Sequence, residues 1–167
     1  EKGIVLIFDE CTSGFRETYG GLHKKYGINP DIAIFGKALG NGYAITALVG
    51  KEEIMDVAQD TFISSTFWTE RIGPTAALKA LEVMEREKSW EIITQIGQKV
   101  KKGWDDLAKI NNLRITHNGI PALAGFNFES NNSQKYKTFI TQEMLKKNIL
   151  ASNVCYSCIS HEDSILN

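Results

Sequence analysis

The run Ile4-Val5-Leu6-Ile7-Phe8-Asp9-Glu10 decides the fold. Five apolar residues in unbroken succession predict a strand over 4–8 with both faces buried, as in a parallel sheet. Asp9 and Glu10 then stand at its carboxyl end, where open α/β sheets place their ligands. A second short strand, Ile32-Ala33-Ile34-Phe35, follows Pro30-Asp31, and a third runs from Tyr43 to Val49 and stops at Gly50. Residues 11–29 read as an irregular segment with a short helical piece, punctuated by Gly14, Gly20, Gly21 and Gly27. A buried strand at residue 4 needs neighbours and covering helices. The chain is therefore expected to be a piece of a longer one.

Working outward, Lys51 to Asp56 predicts a short helix, and residues 61–69 form an apolar, hydroxyl-rich loop. Pro74 suits an early helical position. Ala77, Ala80, Leu81 and Met84 then recur on one helix face. A longer helix spans 89–110, with Ser89 as N-cap candidate and Ile93, Ile96, Val100, Trp104 and Leu107 as its buried stripe. From about residue 112 the pattern changes. Leu113, Ile115 and His117 alternate with polar residues, Ala124 to Phe128 predicts a second strand, and 134–148 a helix using Tyr136, Phe139, Ile140 and Met144. The sequence thus divides into an α/β part over 1–88, a connecting helix over 89–110, and a smaller α+β part over 111–167.

The 167 residues carry 19 Lys and Arg against 20 Asp and Glu, a net charge of −1. That balance excludes the strongly basic surface of a generic nucleic-acid binder. No uncharged apolar run approaches the ~20 residues needed to cross a bilayer, so no membrane partner is expected. With 43% apolar and 23% charged residues the composition is that of an ordinary globular protein. Three cysteines make no disulfide framework and point to a reducing compartment, by default the cytoplasm.

Lys37 is the most informative side chain. It follows a buried strand within Phe35-Gly36-Lys37-Ala38-Leu39-Gly40-Asn41-Gly42. This is not a phosphate-cradling P-loop, because Asp31 stands where that motif needs glycine. Glycines beside a lysine let another molecule approach its amine closely. In a water-poor site a lysine amine can form a Schiff base with a carbonyl. The plain alternative is an exposed turn lysine.

Asp9 bears on that choice. A carboxylate ending an apolar strand is costly without a cationic partner. A protonated pyridine nitrogen is such a partner, and the pairing makes pyridoxal phosphate a stronger electron sink. The plain alternative is a carboxylate bonded to nearby backbone amides. A lysine for the aldehyde and an aspartate for the ring nitrogen would hold opposite ends of one cofactor.

Three segments, Phe8-Asp9-Glu10-Cys11-Thr12-Ser13-Gly14-Phe15-Arg16, Pro30-Asp31-Ile32, and Phe35 to Gly42, resemble in order and spacing the class III pyridoxal-phosphate-dependent aminotransferases. Within them the sequence looks closest to glutamate-1-semialdehyde 2,1-aminomutase and its relatives. The resemblance implies the second part of a fold type I large domain with a mainly parallel sheet, plus part of a smaller α+β C-terminal domain. It implies pyridoxal 5'-phosphate as cofactor and a small amino substrate. It also implies a homodimer with the cofactor site at its interface. It assigns Asp9 to the pyridine nitrogen and Lys37 to the Schiff base and to proton transfer. It points to Thr69, or less directly Thr66 or Ser65, as a hydroxyl reaching the phosphate held by the partner subunit. The alternative for these hydroxyls is local capping.

Cys11 departs from the family, which usually has a branched apolar residue there under the cofactor ring. A thiol can fill that space as a small hydrophobe. The implied activity is amino-group transfer by a transaminase or aminomutase. A related racemase or decarboxylase, or a non-catalytic piece of such an enzyme, is the alternative. Cys155-Tyr156-Ser157-Cys158 with His161 has C-x-x-C spacing but is one ligand short of a structural zinc site, and no metal is expected. A strand there would turn the two thiols to opposite faces. His23 and His117 read as lone surface or packed histidines, and Lys99-Val100-Lys101-Lys102 as a solvated helix face.

Overall fold

The structure is a computed structural model that describes residues 2–64, 66–67 and 69–166. The chain divides into two compact units, residues 1–90 and 91–167.

The first unit is built on a three-stranded sheet. Its strands are β1 (Ile7–Glu10), β2 (Ile32–Phe35) and β3 (Ala47–Gly50), in that order. β1 runs parallel to β2, with Ile7 opposite Ile32 and Glu10 opposite Phe35. β3 is antiparallel to β2, pairing Phe35 with Ala47. The sheet in this chain is therefore mixed rather than mainly parallel. The short connection between β2 and β3 has no room for the crossover that a parallel neighbour requires. β3 also starts later than the sequence suggests, because Tyr43 is still turning, its N–H donating to the Gly40 carbonyl at 3.1 Å.

The strand expected over 4–8 is displaced to 7–10 and is not buried on both faces. Ile4 is 77% exposed and Ile7 54%. The physical reason is that, among the described residues, β2 alone pairs with β1, and the core lies at β2. Ala33, Phe35, Leu39 and Ala77 form that core, flanked by Phe15, Ile45, Ala47 and Leu81. Leu6 is nevertheless tied down. Its N–H donates to Asp31 Oδ2 at 2.7 Å, and its carbonyl accepts from the N–H groups of Asp31 and Ile32.

A short helix α1 (Glu52–Met55) and the longer α2 (Ile72–Glu87) follow the sheet, with 3-10 turns at Leu22–Tyr26 and Asp56–Asp60. Pro74 falls in the first turn of α2, where its missing N–H costs nothing. Ala77 is buried, and Ala80, Leu81 and Met84 are half-buried, as the periodicity requires. Glu70 supplies the helix start: its carboxylate accepts the N–H of Ile72 and, at 2.9 Å, that of Gly73.

The second unit begins with most of α3 (Ser89–Ile110), which follows directly on the left-handed residue Lys88. Ser89 is thus the first helical residue rather than the cap. Ile93, Ile96, Gly97 and Ala108 are buried, and Val100 and Trp104 half-buried. Leu107 is 59% exposed, because the last step of the stripe is i+4 and ends on Ala108. The α3 backbone approaches residues 121–122 so closely that a Cβ on Gly97 would stand 1.7 Å from the Pro121 carbonyl oxygen.

Strands β4 (Ile115–Asn118), β5 (Leu123–Phe128) and β6 (Val154–Tyr156) form an antiparallel sheet in that order, accompanied by α4 (Ser133–Lys146) and a final turn α5 (Asp163–Leu166). Phe126 packs on Trp104 with ring centroids 4.8 Å apart. On α4, Ile140 and Met144 are half-buried while Phe139 is 60% exposed, so the expected helix face is only partly used. Among the described residues no helix is long and apolar enough to cross a membrane.

Candidate functional site

The parallel register of β1 and β2 brings their carboxyl ends side by side, since Glu10 faces Phe35 across the ladder. Neighbouring strands lie about 4.8 Å apart. Asp9 precedes Glu10, and Lys37 follows Phe35 by two residues. The sheet therefore places Asp9, Cys11, Thr12 and Lys37 around one edge.

Lys37 opens a single 3-10 turn, Lys37–Leu39, and has φ 42°, the left-handed region. The turn closes around it: Leu39 N–H donates to Gly36 O at 2.9 Å, and Gly40 and Asn41 N–H both donate to the Lys37 carbonyl, at 3.2 and 3.0 Å. This unusual backbone turns the side chain outward, and its Nζ donates to the Thr12 hydroxyl. Gly36 has no room for a side chain on its far side. A Cβ there would lie 2.8 Å from Cys11 Sγ. Cys11, half-buried, thus packs against the glycine immediately before the lysine.

Asp9 is exposed, and its Oδ1 accepts the Cys11 N–H at 3.0 Å. Among the described residues it has no cationic partner. Glu10 has the opposite environment, being 1% exposed. Ser13 Oγ donates to its Oε2 at 2.5 Å, His23 N–H donates to its Oε1 at 2.9 Å, and the His23 ring Nδ1 lies 3.2 Å from the same oxygen. Burial pushes the Glu10 carboxyl up. The bonds from the Ser13 hydroxyl, from the backbone at His23 and Leu22 and from the His23 side chain outweigh it, and hold the group below the usual carboxylate range. Glu10 is thus a satisfied anchor for residues 10–23. His23 is a packed residue, set edge-on to Phe8.

Thr66 and Thr69 are exposed in the loop between α1 and α2. Among the described residues neither makes a hydrogen bond to Asp9, Cys11 or Lys37. Ser65 and Trp68 lie outside the described residues. Sequence reasoning passed over Thr12 and Glu70, and it set Glu10 beside Asp9 at the ligand end of the strand, whereas Glu10 is buried within the protein. The serine three residues on was a signal for that inward role. Nothing in the sequence marks Thr12 as the partner of Lys37, because that contact spans 25 residues.

In the second unit Cys155 lies in β6 and is half-buried, and burial raises its thiol above the usual range. Cys158 falls beyond the strand end, where its N–H donates to His161 Nδ1 at 3.2 Å. His117 is held by Asp105 at 2.8 Å. The 99–102 lysines are engaged, with Lys99 on Asp163, Lys102 on Asp106 and Lys101 on the Gly119 carbonyl.

Comparison with known proteins gives this geometry a setting. A family model described as Aminotransferase class-III matches residues 1–159. The 3-aminobutyryl-CoA aminotransferase of Cloacimonas acidaminovorans (strain Evry) is 36% identical over 168 residues, covering 97% of this chain and 41% of that protein. The structure of the PLP internal aldimine form of the Sphingopyxis sp. MTA144 FumI protein superposes with a TM-score of 0.89 at 22% identity, covering 98% of this chain and 40% of the other. Plasmodium falciparum ornithine delta-aminotransferase gives 0.79 at 22% identity, over 98% of this chain and 43% of its own. At such identities the structural likeness establishes the fold. The chain spans about two fifths of the length of the relatives it matches.

Proposed function

Because the chain belongs to the class-III aminotransferase family, we propose that it forms the lysine-bearing part of a pyridoxal-phosphate enzyme that transfers an amino group to or from a small amino substrate. On this reading residues 1–88 belong to the cofactor-binding domain, 89–110 connect, and 111–167 belong to the smaller domain. The observation that carries the reading is the placement of an exposed amine, Lys37, and an exposed carboxylate, Asp9, at adjacent strand ends.

The residues fit the cofactor. Asp9 has one oxygen on a backbone amide and no cation among the described residues, so it is free to take the pyridine N–H. Lys37 is directed away from the core by its left-handed backbone. When bound, pyridoxal phosphate supplies the electron sink that lets a substrate carbon lose its proton. Lys37 Nζ would hold the cofactor's aldehyde end until a substrate amine takes its place, and so freed would carry the proton to and from the substrate carbon. Asp9 holds a proton at the ring nitrogen. Cys11 fills space beside Gly36 and would lie against the cofactor ring as a small apolar group. Thr69 reaches the phosphate across a homodimer interface, with Thr66 as the weaker candidate.

Within the family, the 36% identity to an aminotransferase favours a transaminase. The aminomutase reading rests on the resemblance of the three segments Phe8 to Arg16, Pro30 to Ile32 and Phe35 to Gly42, and is the second choice. Borohydride reduction of the protein loaded with pyridoxal phosphate, followed by peptide mass mapping, should place the pyridoxyl adduct on Lys37. An adduct on another lysine overturns the assignment. Incubation with an amino donor and a keto acid acceptor should then separate exchange between two molecules from rearrangement within one.

A further inference from the structure

Thr12 has no part in the reaction as described above, yet its hydroxyl accepts the hydrogen bond of the Lys37 ammonium. Both ends of this contact spring from a hydrogen-bonded backbone. The turn carrying Thr12 is pinned on both sides. Asp9 Oδ1 holds the Cys11 N–H at 3.0 Å, and the buried Glu10 carboxylate holds Ser13. Gly14 N–H closes the turn on the Glu10 carbonyl at 2.8 Å. On the other side the Lys37 backbone is fixed at φ 42° by two hydrogen bonds to its own carbonyl.

A hydroxyl is both donor and acceptor. It can accept N–H from an ammonium and can give its own O–H to the lone pair of a neutral amine. One threonine therefore suits a group that alternates between the two states. We infer that Thr12 is a positioning residue for Lys37, keeping Nζ in one place whether or not it carries the proton. This rests on the reading of Lys37 as proton carrier. Thr12 itself neither gains nor loses a proton over the cycle. Its contribution is orientation, which proton transfer rewards steeply.

The test compares Thr12→Val, which removes both hydrogen-bonding roles at similar shape, with Thr12→Ser, which keeps them. Single-turnover proton transfer in the loaded protein should fall about ten- to a hundredfold in Thr12→Val. KM should stay within about twofold, and Thr12→Ser should recover most of the rate. A second readout uses the cofactor-free protein: acylation of Lys37 by an amine reagent, followed by peptide mapping. Its rate should change about three- to tenfold in Thr12→Val, the equivalent of one ordinary hydrogen bond, and stay near wild type in Thr12→Ser. Should Thr12→Val fail to fold, Thr12→Ala carries the same comparison. A borohydride adduct on Lys37 together with unchanged proton transfer and labelling in Thr12→Val overturns the role of Thr12 alone. An adduct on a different lysine overturns the proposed function and this role with it.

Discussion

Glu10 Oε1 accepts the backbone N–H of His23 at 2.9 Å and lies 3.2 Å from the ring Nδ1 of the same residue. One buried carboxylate thereby ties the turn after β1 to a segment thirteen residues on. It sits beside Asp9 in sequence and does a different job. Asp9 faces outward and is available to a ligand, whereas Glu10 faces inward and is consumed by the protein.

The Glu10 carboxyl is held below its ordinary value of 4.5 in the folded protein. A depressed folded value means that the carboxylate's stabilising contribution is complete above the ordinary value. It is lost as pH falls through the folded one. Thermal unfolding of the wild type should therefore show an acid slope below about pH 4.5, and Glu10→Gln should flatten part of it. Glu10→Ala should cost about 1–3 kcal/mol at neutral pH, since Ser13 and His23 lose their acceptor. Equal acid slopes in wild type and Glu10→Gln would show that other groups carry the dependence.

If Lys37 holds pyridoxal phosphate as proposed, Asp9→Asn should leave the cofactor bound but should depress turnover. A hydrogen bond to a charged group is worth about 1.5–3 kcal/mol, and the loss should be at least of that order in rate. Turnover within about twofold of wild type would mean that the bond to the Cys11 amide is the whole role of Asp9.

Gly36→Ala should destabilise the protein by about 1–3 kcal/mol, because its Cβ meets Cys11 Sγ at 2.8 Å. Cys11→Ala in the same chain should recover much of that loss. Urea titrations of the four members of the cycle measure the coupling. A coupling near zero would contradict the packing of Cys11 on Gly36.

Mixing Lys37→Ala and Thr69→Val proteins tests the dimer. If Thr69 acts across the interface, mixed dimers concentrate both defects in one site and leave the other intact. Activity saturable by pyridoxal phosphate should return. Subunit exchange shown by mass spectrometry without any gain over the two parents excludes the cross-subunit role.

The parts of this molecule set by local pattern were legible in the sequence. The β2 bounds match the apolar run at 32–35, α3 spans the periodic segment 89–110, and α2 places Pro74 in its first turn. Errors arose where neighbours decide. The run at 4–8 predicted burial that β1 does not have, and Tyr43 to Thr46 looked like strand although the turn at Gly40 was still closing. At the candidate site, the exposed turn that carries Lys37 was legible because glycines flank it. Thr12 was not, because the hydrogen bond that gives it meaning joins two loops distant in sequence.

On the proposed role of Lys37, its left-handed backbone sets function against robustness. For a residue with a Cβ that conformation costs about 1–2 kcal/mol, and glycine or asparagine would relieve much of it. A library at position 37 sorted for heat resistance alone should therefore enrich these two replacements and discard the amine. Persistence of lysine there in a heat-selected pool would mean that selection is acting on something other than endurance.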